Sequence, residues 1–513
     1  MSVLLGPILQ FRGIHNGTYH VSALVVLPRA PTPTPPVATA TSPSGVTVKP
    51  AVLLADVPVL NPRAKVFRVD FHAKQGSSGE TVRYSVAGIE AQFSVPARNE
   101  APRMAFASCF GFSSPQLMEK IDDNHERWKH LIREHQAQPF HVFLMGGDQV
   151  YSDSMRYEAT TMRDWLAKTW SQRATAPWTK QMEHQLDGFF TNLYLTRWKQ
   201  DEPKQALASI PTIMMWDDHD IFDGWGSYST DLHESPVLGG IFRTASRYFK
   251  IFQQQIADID ADTHPSAVPG STGFHMGFKD LGGLAILVPD LRFERQPDLT
   301  RPAYSPTRIV SNESWKAMIE WLATVKKHQH LVVVSSIPVA YLDLHLAERM
   351  LLSAPGRQEL EDDLRDHWRS EPHVAERRRL IHGLLDFAAR EKTKVTIVSG
   401  DVHVAGACLI ESQRPEHTGG EYNTIHQLIA SGMVHPAPKA YEVWFLEQIG
   451  ASPETIDVRI TGSMQPIGTK GQYLIPARNW LALEPDSKAD GRKRLWAKWH
   501  IEGLPHPVER LIN

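Results

Sequence analysis

Apolar residues recur along this chain in two rhythms that change near residue 100. Before it, "TYHVSALVVL" from Thr18, "KVFRVDFHA" from Lys65 and "TVRYSVAG" from Thr81 are apolar or alternating over strand lengths, with no helical period between them. They predict a small β-sandwich-like module over residues 1–102. Inside it, "RAPTPTPPVATATSPSG" (29–45) is rich in prolines and small polar residues, which predicts an extended insertion. From about Arg103 the runs "FHVFLMGGD", "IPTIMMWDDHD", "LAILVPDLR", "LVVVSSIP" and "KVTIVSGDVH" each end in small or polar residues. Helical segments intervene: Leu117, Ile121, Trp128 and Ile132 share one helical face, as do Leu380, Leu384, Leu385 and Phe387.

This alternation predicts an α/β fold with a largely buried sheet over residues 103–513, closed by a C-terminal β-hairpin made from "QYLIPARNWLALEP" and "KRLWAKWHIEG". The mixed-charge stretch 345–373 reads as an exposed helix or lid insertion. In sheets of this kind ligands sit beyond the carboxyl ends of the strands. The polar clusters of this chain fall there repeatedly.

Composition narrows the partners. Against 54 basic residues stand 57 acidic ones, a formal charge of -3, with no long run of either sign. That argues against a nucleic-acid or anionic-lipid partner recruited by bulk charge. Two cysteines, Cys109 and Cys408, are too few for a disulfide framework and suit a reducing compartment. Cys408, in "ACLI", reads as a core residue. The first residues carry no basic leader, and no run of about 18 apolar residues follows, so the expectation is a cytoplasmic protein without a membrane span.

Four strand-end blocks carry chemistry. "MAFASCFGF" offers Cys109; "MGGDQVYSD" offers Asp148 and Tyr151; "WDDHD" offers Asp217, Asp218, His219 and Asp220; "SGDVHVAG" offers Asp401 and His403. Carboxylates crowded beyond adjacent strands repel one another or take up protons unless cations compensate them. Thiol, phenol, carboxylates and imidazoles together are about what a dinuclear metal site needs. Metal-assisted phosphoester hydrolysis is the chemistry they point to.

The blocks "FASC", "GGDQVY", "WDDHD", "LVPDLR" and "SGDVH", in that order over about residues 103–436, resemble the alkaline phosphatase D (PhoD-like) branch of the calcineurin-like metallophosphoesterases. The resemblance implies a sandwich of mixed β-sheets flanked by helices, and a phosphomonoesterase that uses metal-activated hydroxide on a phosphate ester. A phosphodiesterase or phospholipase-D-like activity on the same site is the alternative. A mononuclear iron oxygenase and a non-catalytic binding protein are more distant rivals.

By the same resemblance Cys109, Asp148, Tyr151 and His403 hold an iron ion. Asp148 bridges to a second, carboxylate-rich site with Asp218 and Asp401, suited to calcium, magnesium, manganese or zinc. His219 stands beside the scissile phosphate as proton donor, Asp220 orients its imidazole, and Arg292 clamps a phosphate oxygen, with Asp290 as a structural partner. The oligomeric state has no signature in the sequence.

Overall fold

Apolar runs that do not alternate need cover on both faces, and the chain supplies it by stacking two large sheets. The computed structural model describes residues 3–29, 35–58, 63–258, 262–296, 308–342, 368–370, 373–418, 420–468, 471–486 and 494–512. Most of the expected lid, 345–373, lies outside the described residues, as do residues 30–34 of the proline-rich insertion and the tip of the C-terminal turn.

The first sheet runs in the order β23 (Val508–Ile512), β22 (Leu495–Ile501), β21 (Asn479–Pro485), β9 (Met104–Ala107), β10 (Val142–Met145), β11 (Thr212–Met214), β1 (Leu5–His15), β2 (Thr18–Pro28), β6 (Ala64–Lys74) and β4 (Val46–Val48). Strand β5 (Val52–Val57) also pairs with β6. The second sheet runs β12 (Met276–Leu281), β13 (Leu284–Val288), β14 (His330–Ser335), β15 (Lys394–Ser399), β17 (Thr424–Ala430), β16 (Ala405–Ser412), β19 (Ile460–Gln465) and β18 (Glu454–Asp457), with β20 (Leu474–Ile475) on β16. A small third sheet joins β3 (Ala38–Thr41), β7 (Glu80–Val86) and β8 (Ile89–Val95).

The two-residue period of the strands divides the cores. Val332 and Val334 of β14 and Val398 of β15 face the first sheet and share its core. Their neighbours Leu331, Val333, Val395 and Ile397 point the other way, into a second core beneath the helices Asn312–Leu322 and Val374–Glu391. The latter helix buries Leu380, Leu384, Leu385 and Phe387 as its periodicity predicts, each worth roughly 1.5–3 kcal/mol.

Two sequence expectations meet the structure differently. The face through Leu117, Ile121, Trp128 and Ile132 is not one helix: Pro115–Met118 is a single turn, and the helix proper begins at Glu126. Between them the Asp123 carboxylate accepts from the His125 backbone N–H at 3.0 Å, a local bond that competes with helix formation. Among the described residues of 1–102 the regular elements are all strands, but β1 pairs in parallel with β11 through Gln10 and Thr212, and β2 and β6 extend the same sheet. The boundary near residue 102 therefore runs through a shared sheet. At the other end β21 and β22 form the expected hairpin, and β21 docks on β9.

Strands β9, β10, β11 and β1 of the first sheet, and β13, β14, β15 and β17 of the second, are parallel within their sheets. The loops after β9, β10 and β11 consequently emerge at one end and meet those after β13, β14, β15 and β17. That meeting point gathers the polar blocks.

Candidate metal centre

Backbone strain marks the place. Cys109, Asp148, Asp401 and His403 all have positive φ, at 58°, 57°, 74° and 54°. Such conformations cost of order 1–3 kcal/mol each outside glycine, and they cluster where function over-determines the backbone. Close approach of the loops explains two glycines between them. A Cβ on Gly147 (φ 119°) would lie 2.8 Å from the Asp217 Cβ, and one on Gly400 would lie 2.0 Å from the Ser108 hydroxyl oxygen.

The Asp148 carboxylate stands at the centre. Its Oδ2 is 3.5 Å from the Cys109 Sγ and 3.5 Å from the Tyr151 hydroxyl. The Tyr151 separation exceeds an ordinary O–H···O hydrogen bond, the Cys109 one is a normal length for sulfur, and Asp148 Oδ1 is buried with no partner. The Cys109 Sγ also touches the Ser431 hydroxyl at 3.1 Å and lies 4.0 Å from the Asp401 carbonyl. Burial, reinforced by the neighbouring carboxylates, pushes the Asp148 carboxyl, the Cys109 thiol and the Tyr151 phenol well above their usual ranges. Their ionised forms therefore need a compensating cation, and the donor set fits one. One ligand atom each from Asp148, Asp218 and His219 lie within 4.8 Å of one another.

Around this core a buried frame holds the candidate side chains still. Asp217 receives the Arg292 guanidinium and, at 2.9 Å, the Ser336 hydroxyl. The same arginine reaches Asp218 at 3.5 Å and the Trp225 carbonyl at 2.8 Å, and is wholly buried. Asp218 Oδ2 accepts from the Gly224 N–H at 2.8 Å. Asp290 Oδ1 accepts from Trp216 Nε1 at 2.8 Å and from the backbone N–H groups of Arg292 and Phe293 at 3.0 Å, tying β13's exit to β11's.

His219 is held by two contacts that sequence spacing does not show. Its Nδ1 is 2.9 Å from Asp153 Oδ2, and its ring stacks on Tyr151 with centroids 4.4 Å apart. Burial alone would lower its pKa, but the carboxylates of Asp153, Asp218 and Asp148 outweigh that and raise it well above the usual histidine range. On the far side, His403 stacks on His435 at 3.7 Å, and His435 lies 6.0 Å from the Tyr151 ring. The loop after β17 puts His435 there by clasping Cys109: the N–H groups of Val434 and His435 both donate to the Cys109 carbonyl, at 3.1 and 3.2 Å.

The sequence profile of the PhoD-related phosphatase family matches residues 90–354 and 349–452, which is more than half of the chain. The chain belongs to that family. An uncharacterized protein of Saccharomyces cerevisiae, YGR266W, is 29% identical over 398 residues, covering 66% of this chain and 55% of its own. The chain thus spans about half the length of that relative. Among solved structures, that of PhoD superposes with a TM-score of 0.56 at 13% identity, covering 99% of this chain and 91% of that one, which shows a shared fold.

Within this PhoD-related framework the structure gathers Cys109, Asp148, Tyr151, Asp218, His219, Asp401 and His403 at the strand ends where the sequence placed them. It reassigns two others. Asp220 was expected to orient the His219 imidazole, yet its oxygens accept from the N–H groups of Asp148, Val150 and Asp217 at 2.9, 3.1 and 3.0 Å, and from Gln253. It pins the Asp148 and Asp217 loops to each other, and burial pushes its pKa up to about 7. The imidazole's carboxylate is Asp153 instead. Arg292, expected as a phosphate clamp, is committed to Asp217 and Asp218.

Sequence reasoning missed Asp153 and His435. "IHQLIASGMVHP" ends as the other strand blocks do, in small residues and a histidine, and carried a signal. Asp153, in "YSDSM", had none beyond its nearness to Tyr151. Cys408 is a core thiol as expected, with its Sγ 3.2 Å from the Ala340 carbonyl, and burial pushes it up to about 12. Arg247 pairs with Asp187 and Asp258 at 3.1 and 2.7 Å. Among the described residues no helix is long and apolar enough to cross a membrane.

Proposed function

We propose that this member of the PhoD-related phosphatase family is a metal-dependent phosphomonoesterase. The observation that carries the reading is Asp148: a buried carboxylate with one unpartnered oxygen, flanked at 3.5 Å by a thiol and a phenol and adjoining Asp218 and His219. Cys109, Asp148, Tyr151 and His403 would hold one metal, with iron favoured by the thiolate and phenolate donors. Asp148, Asp218 and Asp401 would hold a second, an oxygen-rich site suited to calcium, magnesium, manganese or zinc. When bound, the metals supply Lewis acidity toward the phosphoryl oxygens and lower the pKa of an attacking water.

The rest falls to the chain's own residues. Asp153 takes the Nδ1–H of His219, which fixes the ring and leaves Nε2 as the proton donor toward the leaving oxygen. Tyr151, stacked on that ring, limits its tilt. Arg292 pairs with Asp217 and Asp218 and holds their carboxylates in place. Both cysteines are free and buried, which supports the proposed cytoplasmic location.

The test is hydrolysis of p-nitrophenyl phosphate against bis-p-nitrophenyl phosphate by chelator-treated protein, before and after single metals are restored. Activity that depends on metal and favours the monoester is expected. Faster turnover of the diester would move the assignment to a phosphodiesterase, and activity untouched by complete metal removal would overturn the reading. Asp148→Asn should lose metal and activity together, the activity by more than the roughly 10- to 100-fold typical of residues that merely support a ligand.

A further inference from the structure

A second group of metal-ligating side chains lies outside that centre, where the helix Glu126–Ala137 packs on the C-terminal strands. His130 and Glu134 stand one turn apart on that helix, on the same face. His500 of β22 faces them, and one ligand atom from each of the three lies within 4.8 Å of the others. The ring planes are set by packing: His500 stacks on Trp480 of β21 at 4.0 Å and 10°, and the His130 ring lies 5.1 Å from it. The backbone is tied as well, since Arg127 Nη1 donates to the His500 carbonyl at 3.3 Å.

Two observations separate this cluster from an ordinary pair of packed histidines. First, the His130 Nδ1 and the His500 Nε2 are both buried without a hydrogen-bond partner, and His500 is only 6% exposed. Buried imidazole nitrogens normally have a partner, so each of these is a donor or acceptor in want of one. Second, the nearby cations are already neutralised. Arg127 pairs with Glu126, Arg103 donates to Glu484 at 2.7 Å, and Lys498 lies 2.8 Å from Glu484 and 3.4 Å from Glu509. Arg133 is exposed to solvent. Burial, with help from these cations, lowers His130 to about 4 and His500 to about 3, so both rings are neutral at physiological pH, the form that ligates a metal.

We propose that His130, Glu134 and His500 form a zinc-binding site that fastens the helix Glu126–Ala137 to the β21–β22 hairpin. Two imidazoles and one carboxylate are a donor set that zinc takes readily, with a fourth position open to water. No residue is shared with the Asp148 centre. The hairpin caps β9, whose C-terminal end carries Cys109, so the site would staple the edge of the sheet that holds the catalytic loops.

The test uses the full chain as wild type, Glu134→Gln and His500→Gln, each stripped with chelator and titrated with zinc ion alone. Bound zinc per chain is counted by mass spectrometry of the metal, and the melting temperature is followed in parallel. Wild type is expected to bind one equivalent more than either variant and to gain melting temperature with zinc beyond any gain the variants show. Hydrolysis of p-nitrophenyl phosphate should not differ between wild type and Glu134→Gln. Should His500→Gln fail to fold, the partly exposed helical position 134 still decides the matter. Equal zinc stoichiometry in wild type and Glu134→Gln would overturn the proposal.

Discussion

Replacing Asp153 by Asn separates the reading of His219 given by the structure from the one given by sequence order. The substitution keeps the shape of a side chain that is 2% exposed but removes the charge facing Nδ1 at 2.9 Å. A hydrogen bond to a charged group contributes about 1.5–3 kcal/mol. If that bond positions and charges the proton donor in the transition state, then at about 1.36 kcal/mol per decade kcat falls roughly 10- to 150-fold. Metal content should stay near wild type, because Asp153 touches neither Cys109 nor the Asp148 loop's backbone ties, while the melting temperature should fall with the loss of the buried bond to His219.

Asp220→Asn should behave differently toward metal. One of its oxygens accepts from the Asp148 and Asp217 N–H groups and the other from Val150 and Gln253, so an amide nitrogen at either position leaves buried donors facing a donor. Stability should fall by about 1–3 kcal/mol and metal retention should fall with it. The assay is steady-state hydrolysis of p-nitrophenyl phosphate, with metal analysis and thermal melts on the same preparations. A kcat for Asp153→Asn within twofold of wild type, at full metal content, would refute the role assigned to Asp153.

Other outcomes follow from the same geometry. His219→Ala should lower turnover at least as much as Asp153→Asn, and the double variant should fall little below His219→Ala alone, since the two act as a unit. Arg292→Met should destabilise by about 3–5 kcal/mol, because it strands the buried Asp217, and a melt unchanged from wild type would contradict that account. His330, the first residue of β14, with Nε2 2.7 Å from the Thr396 hydroxyl of β15, is held by burial at about 3. Its folded pKa lies below the unfolded value, so the unfolded chain binds the proton first, and stability present above about pH 6.5 is lost as pH falls toward 3. His330→Gln should therefore show a smaller drop in melting temperature between pH 7.5 and 5.5 than wild type, and equal drops would refute it.

How much of this was legible beforehand differs by residue. Cys109, Asp148, Asp218, Asp401 and His403 could be read because each follows an apolar run that can only be a buried strand, and parallel strands deliver their exits to one end. The break before Glu126 was hidden because apolar spacing alone does not register an aspartate bonding its own backbone. Asp153, 66 residues before its partner, and Asp220, whose donors are mostly backbone amides, could not be assigned from order along the chain. Adjacency to His219 suggested Asp220, but the tight turn at Asp218–Asp220 aims that carboxylate back at the Asp148 loop.

The sequence by itself determined where strands lie, which ends are polar, and which donor types collect there, since these depend on local periodicity and side-chain chemistry. Only the tertiary structure decided that β1 and β2 complete the sheet that carries Cys109 and Asp148, that Asp153 rather than Asp220 holds the imidazole, and that Arg292 pairs with Asp217 and Asp218. Those outcomes turn on which groups come within about 3 Å across the fold, and bonds of that reach are set by packing between elements far apart in the chain.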